Sequence, residues 1–281
     1  MHTRSILFFL LFYTASSLAS PNIEYWTTSK GTDVYYVYAP ELPMVDVQVV
    51  FDAGSTRDGD ALGIAMLTNS LLAEGANGDN ADVISSGFES LGAIYAANVD
   101  YDSASIQLRS LTEEGLLMKA MENFKKVISK PDFPEDAFER KRSQMLIGIK
   151  AKQQSPATIA KDAFMSGIYQ SHPYGKQSEG NQTTIKSIKR ENIISFYKKY
   201  YTAKNSMIAI VGAIDRKFAK KISEDIVSSL QNGEKADSLS KVKVLNESKN
   251  INIEFPSAQT HILVGQPGVK RGDADYFSLY V

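Results

Sequence analysis

The chain has 281 residues, and its 31 Lys and Arg against 32 Asp and Glu give a formal net charge of -1. Hydrophobic residues make up 43% and charged residues 22% of the sequence, a globular balance that excludes a disordered or collagen-like chain. The absence of cysteine excludes disulfides, thiolate zinc sites, iron–sulfur clusters and cysteine nucleophiles, and the near-neutral charge argues against a nucleic-acid binder, which usually carries a basic excess.

The first residues are typical of a secretory signal peptide. Arg4 supplies a positive charge, residues 6–13 form an apolar core, and Ser17 and Ala19 fit a cleavage site after Ala19. The core is too short to span a bilayer as a helix, and no later segment reaches that length. We therefore expect residues 1–19 to be removed and the mature chain to be periplasmic or secreted. The alternative is a buried N-terminal helix.

Strands and helices alternate in the first part of the mature chain. Val45, Val47, Val49 and Phe51 recur at every second position, which predicts a strand with one buried face. Gly92 follows the second predicted helix, where glycine commonly ends a helix. The predicted strands are 33–38, 45–51, 93–99 and 103–111, and the predicted helices are 61–73 and 82–91.

Helices dominate the middle of the chain. The predicted helices are 113–129, 134–149, 156–168, 190–200 and 216–230, with a loop at 172–175 and an apolar strand at 206–214. Residues 231–244 are polar and predict a linker. Two short strands, Ile251–Phe255 and Thr260–Val264, are predicted beyond it.

The order of these elements resembles the M16 family of metallopeptidases, the pitrilysin and insulinase clan. Eight short motifs carry the resemblance, and they follow one another in the order of the family over nearly all of residues 45–214. They are Phe51-Asp-Ala-Gly-Ser55, Gly63-Ile-Ala65, Ser90-Leu-Gly-Ala93, Phe138-Glu-Arg-Lys-Arg142, His172-Pro-Tyr-Gly175, Ile185-Lys-Ser-Ile188, Phe196-Tyr-Lys-Lys-Tyr200 and Asn205–Gly212. Gly265–Gly268 and Asp273–Tyr276 resemble the opening of the second homologous domain of the family.

The resemblance implies an α+β fold of the M16 metallopeptidase-like (LuxS/MPP-like) type, with a mixed, largely antiparallel sheet flanked by helices. We expect an N-terminal-type M16 domain at residues 22–230, the linker at 231–244 and an incomplete start of a second M16 domain at 245–281. The sequence ends inside a predicted helix of that second domain, so a C-terminally truncated chain is expected.

Catalysis in the family requires a zinc motif that is absent at the corresponding positions. In His-x-x-Glu-His, two imidazoles one helical turn apart hold Zn(II), the Glu acts as general base, and a downstream carboxylate completes the coordination. Alignment on the residues around Gly63 places Met66, Asn69 and Ser70 at the three motif positions and Ile147, or its neighbour Gly148, at the downstream one. None of these side chains suits its role, and Met66 is expected to fill the space of the metal.

The remaining candidates for chemistry are few. Of three histidines, His2 lies in the signal peptide, His172 is interpreted as structural and His261 as a packing or surface residue, so no zinc site and no other cofactor is predicted. Glu74 is interpreted as a solvated helix-end carboxylate. Ser70 lacks the Gly-x-Ser-x-Gly elbow of a serine nucleophile. The basic residues Arg140, Lys141, Arg142, Lys150 and Lys152 predict a solvated helix face, or alternatively a docking site for an acidic partner.

The resemblance implies a catalytically inactive M16 homologue. In its first interpretation the chain is the zinc-free partner of a zinc-bearing M16 chain, in a heterodimer that encloses and binds peptide substrate, with no nucleic acid and no stable membrane span. The alternatives are an active zinc metalloendopeptidase, which the missing ligands disfavour, and a stand-alone peptide-binding or scaffold protein.

Overall fold

A computed structural model describes residues 21–280, and the predicted signal peptide lies outside them. Six strands form the main sheet: β1 (Glu24–Thr27), β2 (Asp33–Tyr38), β3 (Met44–Phe51), β6 (Ile94–Val99), β7 (Ala104–Leu111) and β8 (Ser206–Gly212). Two short strands, β4 (Gly75–Ala76) and β5 (Asp79–Asn80), form a separate ribbon. The helices are α1 (Ile64–Leu71), α2 (Ala81–Glu89), α3 (Glu114–Ser129), α4 (Glu135–Lys152), α5 (Pro156–Tyr169), α6 (Gln182–Ser187), α7 (Arg190–Tyr200), α8 (Arg216–Ser229) and α9 (Tyr276–Tyr280).

The strand order in the main sheet is β1-β2-β8-β3-β7-β6. Strands β2 and β8 are parallel, and all other neighbours are antiparallel. The predicted α+β fold with a mixed, largely antiparallel sheet is therefore confirmed. Strand β8 inserts between β2 and β3, so the sheet is completed by a strand that follows most of the helices in the sequence.

The core lies between one face of the sheet and the helices. In β3 the side chains of Val45, Val47, Val49 and Phe51 are buried, as their alternation predicts. The stripe of α3 meets that face, with its buried residues Leu117, Ala120, Met121, Phe124, Val127 and Ile128. Burial of this continuous apolar surface is the main stabilising term of the fold.

Helix α1 is shorter than predicted, since it begins at Ile64 rather than at Ala61 and ends at Leu71 rather than at Ala73. Gly63, immediately before it, has a φ of 93°, which is outside the helical region and which residues with a side chain rarely adopt. The sequence pattern of apolar residues extends over this turn and therefore overestimates the helix.

The predicted strands Ile251–Phe255 and Thr260–Val264 are wrong. Residues 232–275 contain neither helix nor strand, and Ile251, Ile253 and Ile262 are exposed. Their apolar alternation is typical of a strand, but a strand also needs a partner with which to form hydrogen bonds. No described strand lies beside this segment. Strands β1, β4 and β5 and helix α6 were not predicted, because each has too few residues to display a period.

The predicted linker, residues 231–244, lies against the domain through its backbone. Arg57 donates from Nη1 to the carbonyl oxygen of Asp237 at 2.6 Å. The N–H of Ala236 donates to Oδ1 of Asn205 at 2.8 Å. These bonds attach the segment to the turn before α1 and to the start of β8. None of the described helices is long and apolar enough to cross a membrane.

Candidate functional site

The start of α1 is fixed by the buried carboxylate of Asp58. Its Oδ2 accepts a hydrogen bond from the N–H of Gly63 at 2.7 Å, and its Oδ1 accepts one from the N–H of Ala65 at 3.0 Å. Burial raises the pKa of Asp58 to about 7, although the two backbone N–H groups and the charge of Lys176 act in the opposite direction. Two donors that a helix normally leaves unpaired are therefore satisfied here, and α1 has a fixed origin.

Three of the four degenerate motif positions face one cavity. Met66, Asn69 and Ser70 line it from α1; Asn69 is only 4% exposed, and the other two are half-buried. The fourth position, Ile147 on α4, is 70% exposed and does not line the cavity. Gly148, its neighbour, is also exposed and outside the cavity.

The cavity lies between α1, α4 and the edge strand β6, and its volume is about 370 Å³. Met66 was expected to fill the space of a metal ion. That expectation is wrong in one respect, because an open cavity remains beside the side chain. The lining residues are Met66, Asn69, Ser70, Ala73, Glu74, Tyr95, Ala97, Asn98, Val99 and Lys141.

The donors in this cavity do not fit zinc. Met66 offers a weakly coordinating thioether, and Ser70 offers a neutral hydroxyl that donates to the carbonyl of Leu67 at 2.9 Å. Asn69 uses Nδ2 to donate to the hydroxyl of Tyr201 at 3.3 Å. Across residues 21–280, no group of three or more His, Cys, Asp or Glu side chains is placed to hold a metal ion.

His172 contacts the backbone through both of its ring nitrogens. Its Nδ1 accepts the N–H of Tyr174 at 3.2 Å, and its Nε2 lies 2.9 Å from the carbonyl oxygen of Ser240, which requires a proton on Nε2. The hydroxyl of Tyr174 in turn donates to Asp102 at 2.6 Å. This loop therefore supports the turn between β6 and β7. His261 is exposed.

Glu74 is not the solvated carboxylate that the sequence predicted. Its side chain is 15% exposed and forms ion pairs with Arg140 and with Lys141, the latter at 2.8 Å. The predicted solvated basic face is right for Arg140, Lys150 and Lys152, which are exposed, whereas Lys141 and Arg142 are half-buried. Arg142 pairs with Glu139 at 2.5 Å and Lys152 pairs with Glu179.

A layer of tyrosines lies beneath α1. Tyr201 is 2% exposed and stacks on Tyr197, whose hydroxyl donates to the carbonyl of Ile128 at 2.7 Å. Burial raises the pKa of both phenols, so they remain neutral. The hydroxyl of Tyr95 is buried and has no hydrogen-bond partner within the described residues. Asn69 therefore connects the cavity to a layer of neutral tyrosine side chains.

Strand β6 forms the open edge of the sheet beside the cavity. It pairs with β7 on one side and has no described neighbour on the other. The N–H of Asp100 donates to the carbonyl of Ser103. In an antiparallel pair every second residue bonds to the neighbouring strand, so Asn98 and Ala96 also bond to β7. The N–H and C=O groups of Tyr95, Ala97 and Val99 therefore point away from β7. Sequence analysis could predict the strand but not its place at the edge.

Comparison with known proteins agrees with this geometry. A family model described as insulinase (peptidase family M16) matches residues 33–182, and a second, described as peptidase M16 inactive domain, matches residues 187–281. An uncharacterized zinc protease of Rickettsia felis is 25% identical over 239 residues, which are 85% of this chain and 57% of that protein. The chain thus spans less than two thirds of the length of this curated relative.

Solved structures show the same fold. A peptidase M16 inactive domain from Pseudomonas fluorescens is 36% identical with a TM-score of 0.78, and the match covers 79% of this chain and 54% of that one. The periplasmic protease PqqL from Escherichia coli is 19% identical with a TM-score of 0.71, and the match covers 81% of this chain and 26% of that one. This chain belongs to peptidase family M16.

Proposed function

We propose that this chain is a catalytically inactive M16 homologue that binds extended peptide at the open edge of β6. It would do so as the zinc-free partner of a zinc-bearing M16 chain. The observation that carries the proposal is the combination found at one place: a strand edge that no other described strand covers, directly beside a cavity whose motif positions hold Met66, Asn69 and Ser70.

The loss of zinc chemistry follows from the residues themselves. A zinc site normally needs three protein ligands, and positions 66, 70 and 147 supply a thioether, a hydroxyl and an alkyl group. The general-base position supplies the amide of Asn69, which cannot accept a proton at neutral pH. Restoring a site would therefore require several simultaneous changes.

Peptide binding follows from the unpaired backbone of β6. An extended peptide can add to such an edge through main-chain hydrogen bonds, while neighbouring cavities select side chains. An open edge is also an aggregation hazard that folded proteins usually cover or blunt. A peptide substrate or a partner chain on β6 would satisfy the exposed N–H and C=O groups of Tyr95, Ala97 and Val99.

Export and partnership belong to the same proposal. The signal-like residues 1–19 support a periplasmic or secreted chain, and PqqL, which has the same fold, is named a periplasmic protease. Residues 22–230 would form the first M16 domain, 231–244 the linker and 245–281 the start of the second. Co-purification from the native host tests the partner: a captured M16 chain with an intact His-x-x-Glu-His motif is expected, and its repeated absence would favour a stand-alone binding protein.

Proline at position 97 is expected to weaken peptide binding while leaving the fold intact. The N–H of Ala97 points away from β7, so Ala97→Pro removes an outward donor and no bond of the sheet. We expect the affinity for a labelled Thr/Ala octapeptide with a central Gln to fall by roughly tenfold, since one edge bond is lost and the proline ring obstructs its neighbours. Fluorescence anisotropy measures the affinity.

Two control variants separate the edge from the fold. Ala97→Ser keeps the N–H and should bind the peptide as the unaltered chain does. Ala96→Pro removes a bond to β7 and should lower the thermal midpoint much more than Ala97→Pro. Equal peptide affinities of Ala97→Pro and Ala97→Ser would show that peptide does not pair with β6.

A further inference from the structure

Two oppositely charged side chains line the cavity beside β6, and a third stands next to them. Glu74 pairs with Lys141 at 2.8 Å and also with Arg140. The side chain of Glu74 is 15% exposed and that of Lys141 is 27% exposed, so this pair is largely shielded from water, whereas Arg140 is 48% exposed. Two positive charges meet one negative charge, and the cluster therefore carries one uncompensated positive charge.

The geometry of β6 aims peptide side chains at this cluster. The side chains of Tyr95, Ala97 and Val99 line the cavity, and the backbone groups of the same residues are the outward ones. Residues directly opposite each other in a strand pair place their side chains on the same face of the sheet. A peptide residue opposite Ala97 therefore directs its side chain over the methyl group of Ala97 into the cavity.

The hydroxyl of Tyr95 does not take part in binding this side chain, although the residue lines the cavity. The hydroxyl is fully buried near the phenol of Tyr201 and has no hydrogen-bond partner among residues 21–280. A buried donor without an acceptor is rare in folded proteins. The donor that a peptide carboxylate would meet in the cavity is the ammonium group of Lys141, and a carboxylate is the strongest acceptor that a peptide side chain offers.

We propose that the cavity selects an acidic side chain of the bound peptide, and that Lys141 is the residue that determines this specificity. The inference rests on the proposed pairing of peptide with β6. An Asp or Glu opposite Ala97 compensates the excess positive charge, while Glu74 keeps its bond to Arg140. A basic side chain would add to the excess, and a neutral one would leave it unchanged. Because the Glu74–Lys141 pair is partly buried, solvent screens these charges less than it screens fully exposed pairs, and the three kinds of peptide side chain should differ in affinity.

Three labelled octapeptides that differ only in a central Glu, Gln or Lys test the inference on the full chain. We expect the Glu peptide to bind about tenfold more tightly than the Gln peptide, and the Lys peptide to bind most weakly. Lys141→Met keeps the apolar stem and removes the charge. It should reduce the Glu-to-Gln preference to about one without weakening the Gln peptide. Lys141→Gln is a second variant of the same design.

Lys150→Met is the matched control. Lys150 is exposed on α4, on the side of the helix opposite Lys141, and has no ion pair among the described residues. This variant should keep the full preference for Glu. Equal binding of the three peptides to the unaltered chain, or a preference that survives Lys141→Met, would overturn the inference and leave pairing at β6 standing. If none of the peptides binds, the edge proposal fails as well.

Discussion

The variant Met66→His, Ser70→His, Ile147→Glu is expected to bind zinc roughly a thousandfold more tightly than the unaltered chain. Met66 and Ser70 are one turn apart on α1 and both line the cavity, so two imidazoles at these positions face the same space. Position 147 on α4 lies outside the cavity, so the gain in affinity is expected from the two imidazoles. Asn69 is left unchanged, because its bond to Tyr201 supports α1 from below. Titration against a zinc chelator of known affinity measures the gain.

Position 147 makes this a demanding experiment, because Ile147 is exposed and outside the cavity. The matched control carries Met66→His and Ser70→His with Ile147→Gln, which has nearly the same shape but is a poor zinc ligand. The glutamate and glutamine versions should bind zinc with about the same affinity, because position 147 lies outside the cavity. A preference of about tenfold or more for the glutamate version would show that position 147 reaches the metal and would contradict this geometry. Thermal unfolding in the presence of a chelator confirms that each variant folds.

The free energy of unfolding is expected to decrease as pH rises from 5 to 8, with Asp58 as a major cause. Burial raises the pKa of Asp58 to about 7 from its usual 3.8. Between those values the folded chain holds a proton that the unfolded chain releases, so stability is highest at the acidic end and is lost as pH rises through the folded pKa. Three pKa units correspond to at most about 4 kcal/mol, and we expect about 2 kcal/mol.

Asp58→Asn removes the titrating group and should flatten this dependence by the same amount. Urea unfolding at pH 5 and pH 8 gives the difference for each chain, and all other groups cancel in the comparison. Asp60→Asn is the control, because Asp60 is a close neighbour in sequence that is exposed. The same pH dependence in Asp58→Asn and in the unaltered chain would contradict the account of how α1 begins.

The main elements of the fold could be predicted because their patterns are long. The alternation in β3 and the apolar stripe of α3 each extend over several repeats, and the structure confirms both. Residues 251–264 show the limit of this reasoning. Their alternation is as clear as that of a strand, but strand formation depends on a neighbouring chain segment, and periodicity contains no information on neighbours.

The site could be predicted only in part, for the same reason. Resemblance to the family located Met66, Asn69 and Ser70, and the structure places all three on one cavity. It did not identify the pairing of Glu74 with Lys141, because these residues are far apart in sequence and each is ordinary in its own segment. The edge position of β6 was also hidden. It depends on β8 inserting between β2 and β3, which no local pattern specifies.

The zinc content of the purified, unaltered chain tests the central claim most directly. The chain is equilibrated with a small excess of zinc and dialysed, and metal is then measured by mass spectrometry beside an assay of peptide hydrolysis. We expect less than about one zinc ion per ten chains and no hydrolysis, since positions 66, 70 and 147 offer no adequate ligand. Zinc near one ion per chain together with peptide hydrolysis would contradict the account.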